Sequence, residues 1–156
     1  MAEVEVGLGK SGRRAYGFDD IAIVPSRRTR DPEDVDIKWE IDAFSFDLPL
    51  MASAMDGVVS PSSAIAIGQL GGVGVLNLEG LWTRYEDPGK VFDEIAQLPS
   101  DIATARMQEL YAEPIKPELI TQRISEINAG GVISCASITP QRTQLNADHI
   151  RQSDLD

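Results

Sequence analysis

Cysteine is almost missing from this chain: Cys135 is the only one in 156 residues. A lone thiol excludes an internal disulfide and fits a protein kept in a reducing cytoplasm. Histidine is equally scarce, with His149 alone, in a polar stretch that reads as solvated. No cluster of histidine, cysteine and acids has the spacing of a metal site. Basic residues are in deficit, 14 against 25 acidic ones, leaving a net charge of −11. A nucleic-acid backbone is therefore not the expected partner, and the one basic run, Arg27-Arg28-x-Arg30, reads as a solvated face. No apolar run reaches the roughly 18 residues of a membrane span. The opening MAEVEVGLGK has two acids and no apolar segment of the kind a secretion signal carries. Internal repeats and low-complexity tracts are absent too.

What is there is a succession of short apolar runs separated by turn and helix signals. Residues 1–17 are Gly-rich and charged and read as a loose arm. FDDIAIV, residues 18–24, reads as a short strand or extended segment stopped by Pro25. Residues 37–46 have room for short hairpin-like pieces. Residues 48–54 are mostly apolar without clean alternation, as in a strand buried on both faces. Ser60-Pro61 opens a helix, since Ser caps and Pro suits the first helical position. Gly71-Gly72 stops it, and residues 73–76 form a second buried strand. Strand, helix and strand with short loops make a βαβ crossover, which forces the strands parallel.

Asp87-Pro88 opens another helix with Val91, Phe92, Ile95 and Leu98 on its apolar side. A further helix is predicted over 101–111. Another spans 117–128 and buries Ile120, Ile124 and Ile127. Gly130-Gly131 ends it, and VISCASI, residues 132–138, is a third buried strand. A short helix over 145–150 closes the pattern. The repetition implies an α/β fold, either an open doubly wound sheet or a (β/α)8 barrel. A dinucleotide fingerprint needs its glycines between a strand and the following helix. Here Gly71, Gly72 and Gly74 lie between a helix and the next strand, where they serve as a helix stop.

The stretch LPLMASAMDGVVSPSSAIAIGQLGGVGVLN, residues 48–77, resembles the first βαβ unit of the IMP dehydrogenase/GMP reductase family. FDDIAIVPSR upstream is similar to that family's N-terminal segment, and VISCASITPQRT to a later region of a smaller subgroup. The resemblance implies the N-terminal portion of a (β/α)8 TIM barrel over 18–156, preceded by the arm. Residues 78–116 read as plain helices and loops, so the inserted CBS modules of many members are not expected. It further implies an oxidoreductase of purine nucleotide metabolism, with IMP or GMP as partner and NAD or NADP as cofactor. In that family a cysteine attacks C2 of the purine and hydride passes between C2 and nicotinamide. A monovalent cation and homotetramers belong to the same expectation for a full-length protein. The family's catalytic loop, roughly G-x-G-S-x-C-x-T, has no counterpart in these 156 residues, so no catalytic residue is assigned and the chain alone is expected to be inactive.

Candidate site residues follow from where the strands end, because the C-terminal strand ends of a barrel carry its active site. By the resemblance, Ser53 and Met55 match nucleotide-contacting positions; a hydroxyl suits a phosphate or ribose oxygen, and a thioether suits a purine face. On the residues alone, Ser53 caps a turn and Met55 fills core. Asp56 either orients Ser53 or caps the turn. Asn77 ends the second strand at the same face, where the family often has His. Gly57 reads as relief of crowding or as a simple turn residue. Cys135, inside an apolar strand, reads as a small buried hydrophobe, and nothing in the spacing ties Asp19 and Asp20 to a site. Two other classes stay open: a flavin-dependent TIM-barrel oxidase such as nitronate monooxygenase, and a non-catalytic assembly or regulatory relic.

Overall fold

The structure, a computed structural model, describes residues 3–25 and 30–156. Arg27 and Arg28 of the basic run therefore lie outside the described residues, and Arg30 is exposed. The chain divides into two compact units, Met1–Asp36 and Ile37–Asp156.

In the first unit the expected loose arm is an antiparallel hairpin. β1 (Glu3–Glu5) pairs with β2 (Ser11–Arg13), with Val4 opposite Gly12. Gly7 (φ 141°) and Gly9 (φ 71°) make the reversal, in a backbone region side chains disfavour. The predicted strand over 18–24 is replaced by a 3-10 turn, Phe18–Asp20, and irregular chain. The Asp20 carboxylate accepts the Gly17 N–H at 3.0 Å and so closes a local turn. Among the described residues no strand pairs with residues 21–25, and Phe18 and Ile23 are almost fully exposed.

The second unit opens with the hairpin β3 (Trp39–Ile41) and β4 (Phe44–Phe46). The Trp39 and Phe46 rings stack at 5.3 Å, and the Trp39 indole N–H donates to the Leu48 carbonyl at 2.9 Å. Three parallel strands follow in chain order: β5 (Met51–Ala52), β6 (Val73–Asn77) and β7 (Cys135–Ser137). α1 (Pro61–Gln69) crosses from β5 to β6. α2 (Pro88–Gln97), α3 (Ser100–Leu110) and α4 (Pro117–Ala129) lie between β6 and β7, and α5 (Pro140–Gln152) follows.

The core lies between the sheet and α1 and α4. Val59, Ala64, Leu76, Leu78, Ile120, Ile124 and Ile127 form one buried cluster. Each fully buried aliphatic side chain contributes roughly 1.5–3 kcal/mol. A smaller cluster of Leu81, Val91 and Leu110, with Phe92 and Tyr85 against it, holds α2 and α3 to the loop after β6. α1 begins as the sequence predicts: Ser60 Oγ accepts the Ser63 N–H at 3.0 Å and Pro61 stands at the first position.

Four details depart from the sequence reading. β5 is two residues rather than seven; Pro49 has no N–H for a ladder, and Leu50 and Met51 are about half exposed because one face of the strand is uncovered. β7 is likewise three residues, since Gly131 (φ 69°) and the chain up to Ser134 turn into it. α5 is longer than the predicted 145–150, because Thr139 is extended and Pro140 starts a helix there as Pro61 does in α1. Of the three glycines given to a helix stop, Gly71 (φ 90°) and Gly72 serve it, their N–H groups bonding the Gly68 carbonyl at 2.9 Å and the Ile67 carbonyl at 3.0 Å. Gly74 instead lets β6 meet α1, since a Cβ there would stand 2.8 Å from Ala64 Cα.

Candidate functional site

The C-terminal ends of β5, β6 and β7 form one rim, and three successive loops leave it. The first runs from Ser53 to Val59. Ser53 and Met55 are exposed on it, and the Ser53 side chain makes no hydrogen bond to another described residue. The turn is closed by backbone alone: the Ser53 carbonyl accepts the Met55 N–H at 2.7 Å, and the Met55 carbonyl accepts those of Val58 (2.8 Å) and Val59 (2.9 Å). Met55 fills no core. A Cβ on Gly57 would meet nothing within 4 Å, so crowding does not explain that glycine.

Asp56 turns inward from this exposed loop and is 8 % exposed. Its carboxylate neither reaches Ser53 nor caps its own turn. One oxygen accepts the Asn77 Nδ2–H at 3.3 Å, and the other accepts the Leu81 N–H at 2.8 Å and the Tyr111 hydroxyl. The Asp56 carbonyl takes the Trp82 indole N–H at 3.2 Å. A carboxylate is an acceptor only, with room for several donors, and here three converge on it. Gly80 makes the approach possible, because a Cβ at that position would overlap the Asp56 carboxylate.

Asn77 is engaged at both ends of its amide, donating to Asp56 and accepting the Glu79 N–H at 3.0 Å. The structure thus brings Asp56 and Asn77 together as a brace and leaves Ser53 and Met55 outward on the loop that the brace holds.

A second carboxylate repeats the device one loop further. Glu79 accepts the Thr139 N–H at 2.7 Å and its hydroxyl at 3.2 Å, and pairs with Arg142 Nε at 2.9 Å. The loop after β6 is thereby tied to the loop after β7. Arg84 donates from Nε and Nη2 to the Glu79 carbonyl at 3.1 and 2.9 Å and from Nη1 to the Glu113 carbonyl. Arg123 donates to the Trp82 carbonyl at 3.1 Å and the Glu86 carbonyl at 2.7 Å. Both guanidinium groups are buried, and satisfied peptide carbonyls are what make buried arginine tolerable.

Glu79, Tyr111, Thr139, Arg84 and Arg123 were not singled out from the sequence. Thr139-Pro140 repeats the signal of Ser60-Pro61 and was available to flag the third loop. No local signal marks Tyr111, whose partner is 55 positions away.

Cys135 begins the three-residue β7, where it pairs with Val75 in the middle of β6, and is half-buried. Burial pushes its thiol above the ordinary value. His149 is half-buried on α5. Among the described residues no group of three or more His, Cys, Asp or Glu is placed to hold a metal ion, and no helix is long and apolar enough to cross a membrane.

Residues 15–117 match the family model for the IMP dehydrogenase / GMP reductase domain. An uncharacterised oxidoreductase of Mycolicibacterium smegmatis is 41 % identical over 146 residues, and one of Mycobacterium leprae 44 % over 147. These alignments cover 90 % and 91 % of this chain and 39 % of each relative. The inosine-5'-monophosphate dehydrogenase of Methanocaldococcus jannaschii is 35 % identical over 65 residues, 42 % of this chain and 13 % of that enzyme. The crystal structure of an IMP dehydrogenase/GMP reductase-like protein from Corynebacterium glutamicum superposes with a TM-score of 0.81 at 40 % identity, covering 99 % of this chain and 43 % of that one. The chain thus spans about two fifths of the length of the relatives it matches most fully, and its fold is α/β, part of a TIM barrel.

Proposed function

The chain belongs to the IMP dehydrogenase/GMP reductase domain family, and we propose that it forms the first nucleotide-facing edge of a purine-nucleotide oxidoreductase site. One observation carries the reading. Ser53 and Met55 stand exposed just past the end of β5, on a loop whose only buried polar side chain, Asp56, is fully engaged in holding it. Exposed groups on a braced loop at the C-terminal rim are what a barrel offers a ligand. Ser53 supplies a hydroxyl for a ribose or phosphate oxygen, and Met55 an adaptable apolar surface for the purine ring. Asp56 and Asn77 act on the nucleotide through the loop they hold.

The residues present do not fit a nicotinamide dinucleotide by themselves. Gly72 and Gly74, at the start of β6 and away from the rim, are used in packing, Gly72 against Leu50 and Ile67 and Gly74 against Ala64. Hydride transfer is accordingly assigned no residue of this chain; its part is to bind and orient the purine nucleotide.

The test is a titration of the 156-residue chain with IMP and, separately, GMP, followed through the methyl resonances of its four methionines. The expected result is a saturable shift of Met55, weakened by Ser53→Ala, with Met51 on β5 unmoved. The nucleotide with the lower Kd identifies the substrate class. No saturable shift with either nucleotide removes the assignment.

A further inference from the structure

We propose that Tyr111 is a positioning residue for the nucleotide loop, acting through Asp56 from the end of α3. The ligand effect of this inference rests on the reading of Ser53 and Met55 as nucleotide contacts; the geometry does not.

The loop that carries Ser53 and Met55 has few anchors of its own. Its internal hydrogen bonds are short-range backbone bonds within 53–59. Val59 anchors its far end in the core, and the Val58 carbonyl accepts the Ser63 hydroxyl at 3.1 Å. The loop's hydrogen bonds to β6, the loop after it and the end of α3 run through one residue, Asp56, whose carboxylate and carbonyl receive groups from Asn77, Leu81, Trp82 and Tyr111. Three of these four come from β6 and the loop directly after it. Tyr111 is the exception: it follows α3, and no other donor reaches Asp56 from outside the β6 loop.

Tyr111 is itself held in place. Arg84 lies over its ring, with the guanidinium carbon 5.8 Å from the ring centre, and the same guanidinium binds the carbonyls of Glu79 and Glu113 on either side. The Tyr111 N–H is bonded to the Met107 carbonyl at 2.9 Å, so the residue continues the last turn of α3. Leu110, beside it, is buried in the smaller core cluster. A hydroxyl mounted on so fixed a base sets where the Asp56 carboxylate rests, and Asp56 is one residue from Met55. A donor that bonds a charged acceptor contributes more than a neutral pair, and rigid supporting groups of this kind fix the geometry of a binding site.

The test uses the intact chain. Tyr111→Phe removes the hydroxyl and keeps the ring. The chain should stay folded by circular dichroism, while the Met55 methyl resonance shifts and that of Met51 stays. The Kd for IMP should rise about tenfold, the loss of one charge-assisted hydrogen bond. Asp56→Asn keeps the side chain's shape and weakens the same bond. It should move Met55 as well, and the double variant should move it by less than the sum of the two, because both changes act on one contact. A folded Tyr111→Phe chain with an unmoved Met55, or shifts that simply add, would overturn the proposal. If the unmodified chain binds neither IMP nor GMP, the assignment of Ser53 and Met55 fails, and the methyl shifts and their coupling still decide whether Tyr111 positions the loop.

Discussion

The Tyr111 hydroxyl donates to the Asp56 carboxylate and so joins the end of α3 to the loop after β5, across 55 positions of sequence. Burial raises the Tyr111 pKa above that of a free phenol, and the bond to Asp56 raises it further. The folded state thus favours the neutral phenol more than the unfolded chain does. A raised folded pKa contributes stability that is complete below the unfolded value of about 10 and disappears as pH rises through the folded one. In an alkaline absorbance titration a late-ionising phenolate should be present in the wild-type chain and missing from Tyr111→Phe. Thermal scans should find that the stability lost by Tyr111→Phe at pH 8 shrinks as the pH is taken above 10. A Tyr111 that ionises with the ordinary tyrosine value in the folded chain would contradict this.

Asp56 predicts a graded stability series. Asp56→Ala strips three donors of their acceptor, and the Leu81 N–H among them is buried. Leaving such groups unpaired costs about 2–4 kcal/mol. Asp56→Asn keeps one acceptor oxygen for Leu81 and Tyr111 and places its amide against Asn77, so it should cost less than half as much. Urea denaturation of the three chains measures both; equal losses would mean that the retained shape and acceptor oxygen contribute nothing and the carboxylate's charge carries the effect.

Two glycines separate close packing from simple turn geometry. A Cβ on Gly80 would occupy the volume of the Asp56 carboxylate, whereas one on Gly57 meets nothing within 4 Å and its φ is not in the left-handed region. Gly80→Ala should therefore destabilise the chain by about 2 kcal/mol or more through displaced packing, and Gly57→Ala should stay within about 0.5 kcal/mol. The loss from Gly80→Ala should be smaller in an Asp56→Ala background, where the space has been vacated. The measurement is the urea midpoint of the four variants.

The parts of this molecule legible in its sequence are those built from neighbours. Ser60-Pro61 announces α1, Gly71 ends it, and Ile120, Ile124 and Ile127 mark the buried face of α4, each through a local rule. The residues 48–54 were read too long because apolar composition does not reveal that Pro49 cannot donate or that Leu50 and Met51 would keep an open face. Residues 18–24 carry strand composition, yet a strand requires a partner, and the Asp20–Gly17 bond offered the backbone a nearer one. At the rim, the exposed pair Ser53 and Met55 is visible as a motif. The work of Asp56 and Glu79 is not, since their partners are a backbone N–H at Leu81, a hydroxyl at Tyr111 and an N–H at Thr139, none of which a motif records. Nothing in their neighbours marks Arg84 and Arg123 as buried; carbonyl partners explain Arg84, and carbonyls together with the Glu126 carboxylate at 2.8 Å explain Arg123.

Cys135 supplies the last prediction, because the lone cysteine of a chain invites a nucleophile's role by its scarcity alone. The thiol lies on β7 at the level of Val75 in β6, two residues before the end of its strand. It lines a cleft of about 210 Å³ whose other walls include Phe44, Phe46, Met51 and Val73. Burial raises its pKa, and no cation or imidazole is among the causes that act on it. A nucleophilic cysteine requires the reverse, a thiolate favoured by positive neighbours. At pH 7.5 iodoacetamide should therefore alkylate Cys135 several-fold more slowly than it does a free thiol, with the rate climbing as the pH is raised toward 10. Cys135→Ser should leave the IMP titration of Met55 unchanged, since β6 stands between the strand that carries Cys135 and the strand that leads to Met55. The chain mixed with IMP and NAD should generate no absorbance at the wavelength of reduced nicotinamide. Turnover that vanishes in Cys135→Ser would make Cys135 the reacting thiol and overturn the site assignment as a whole.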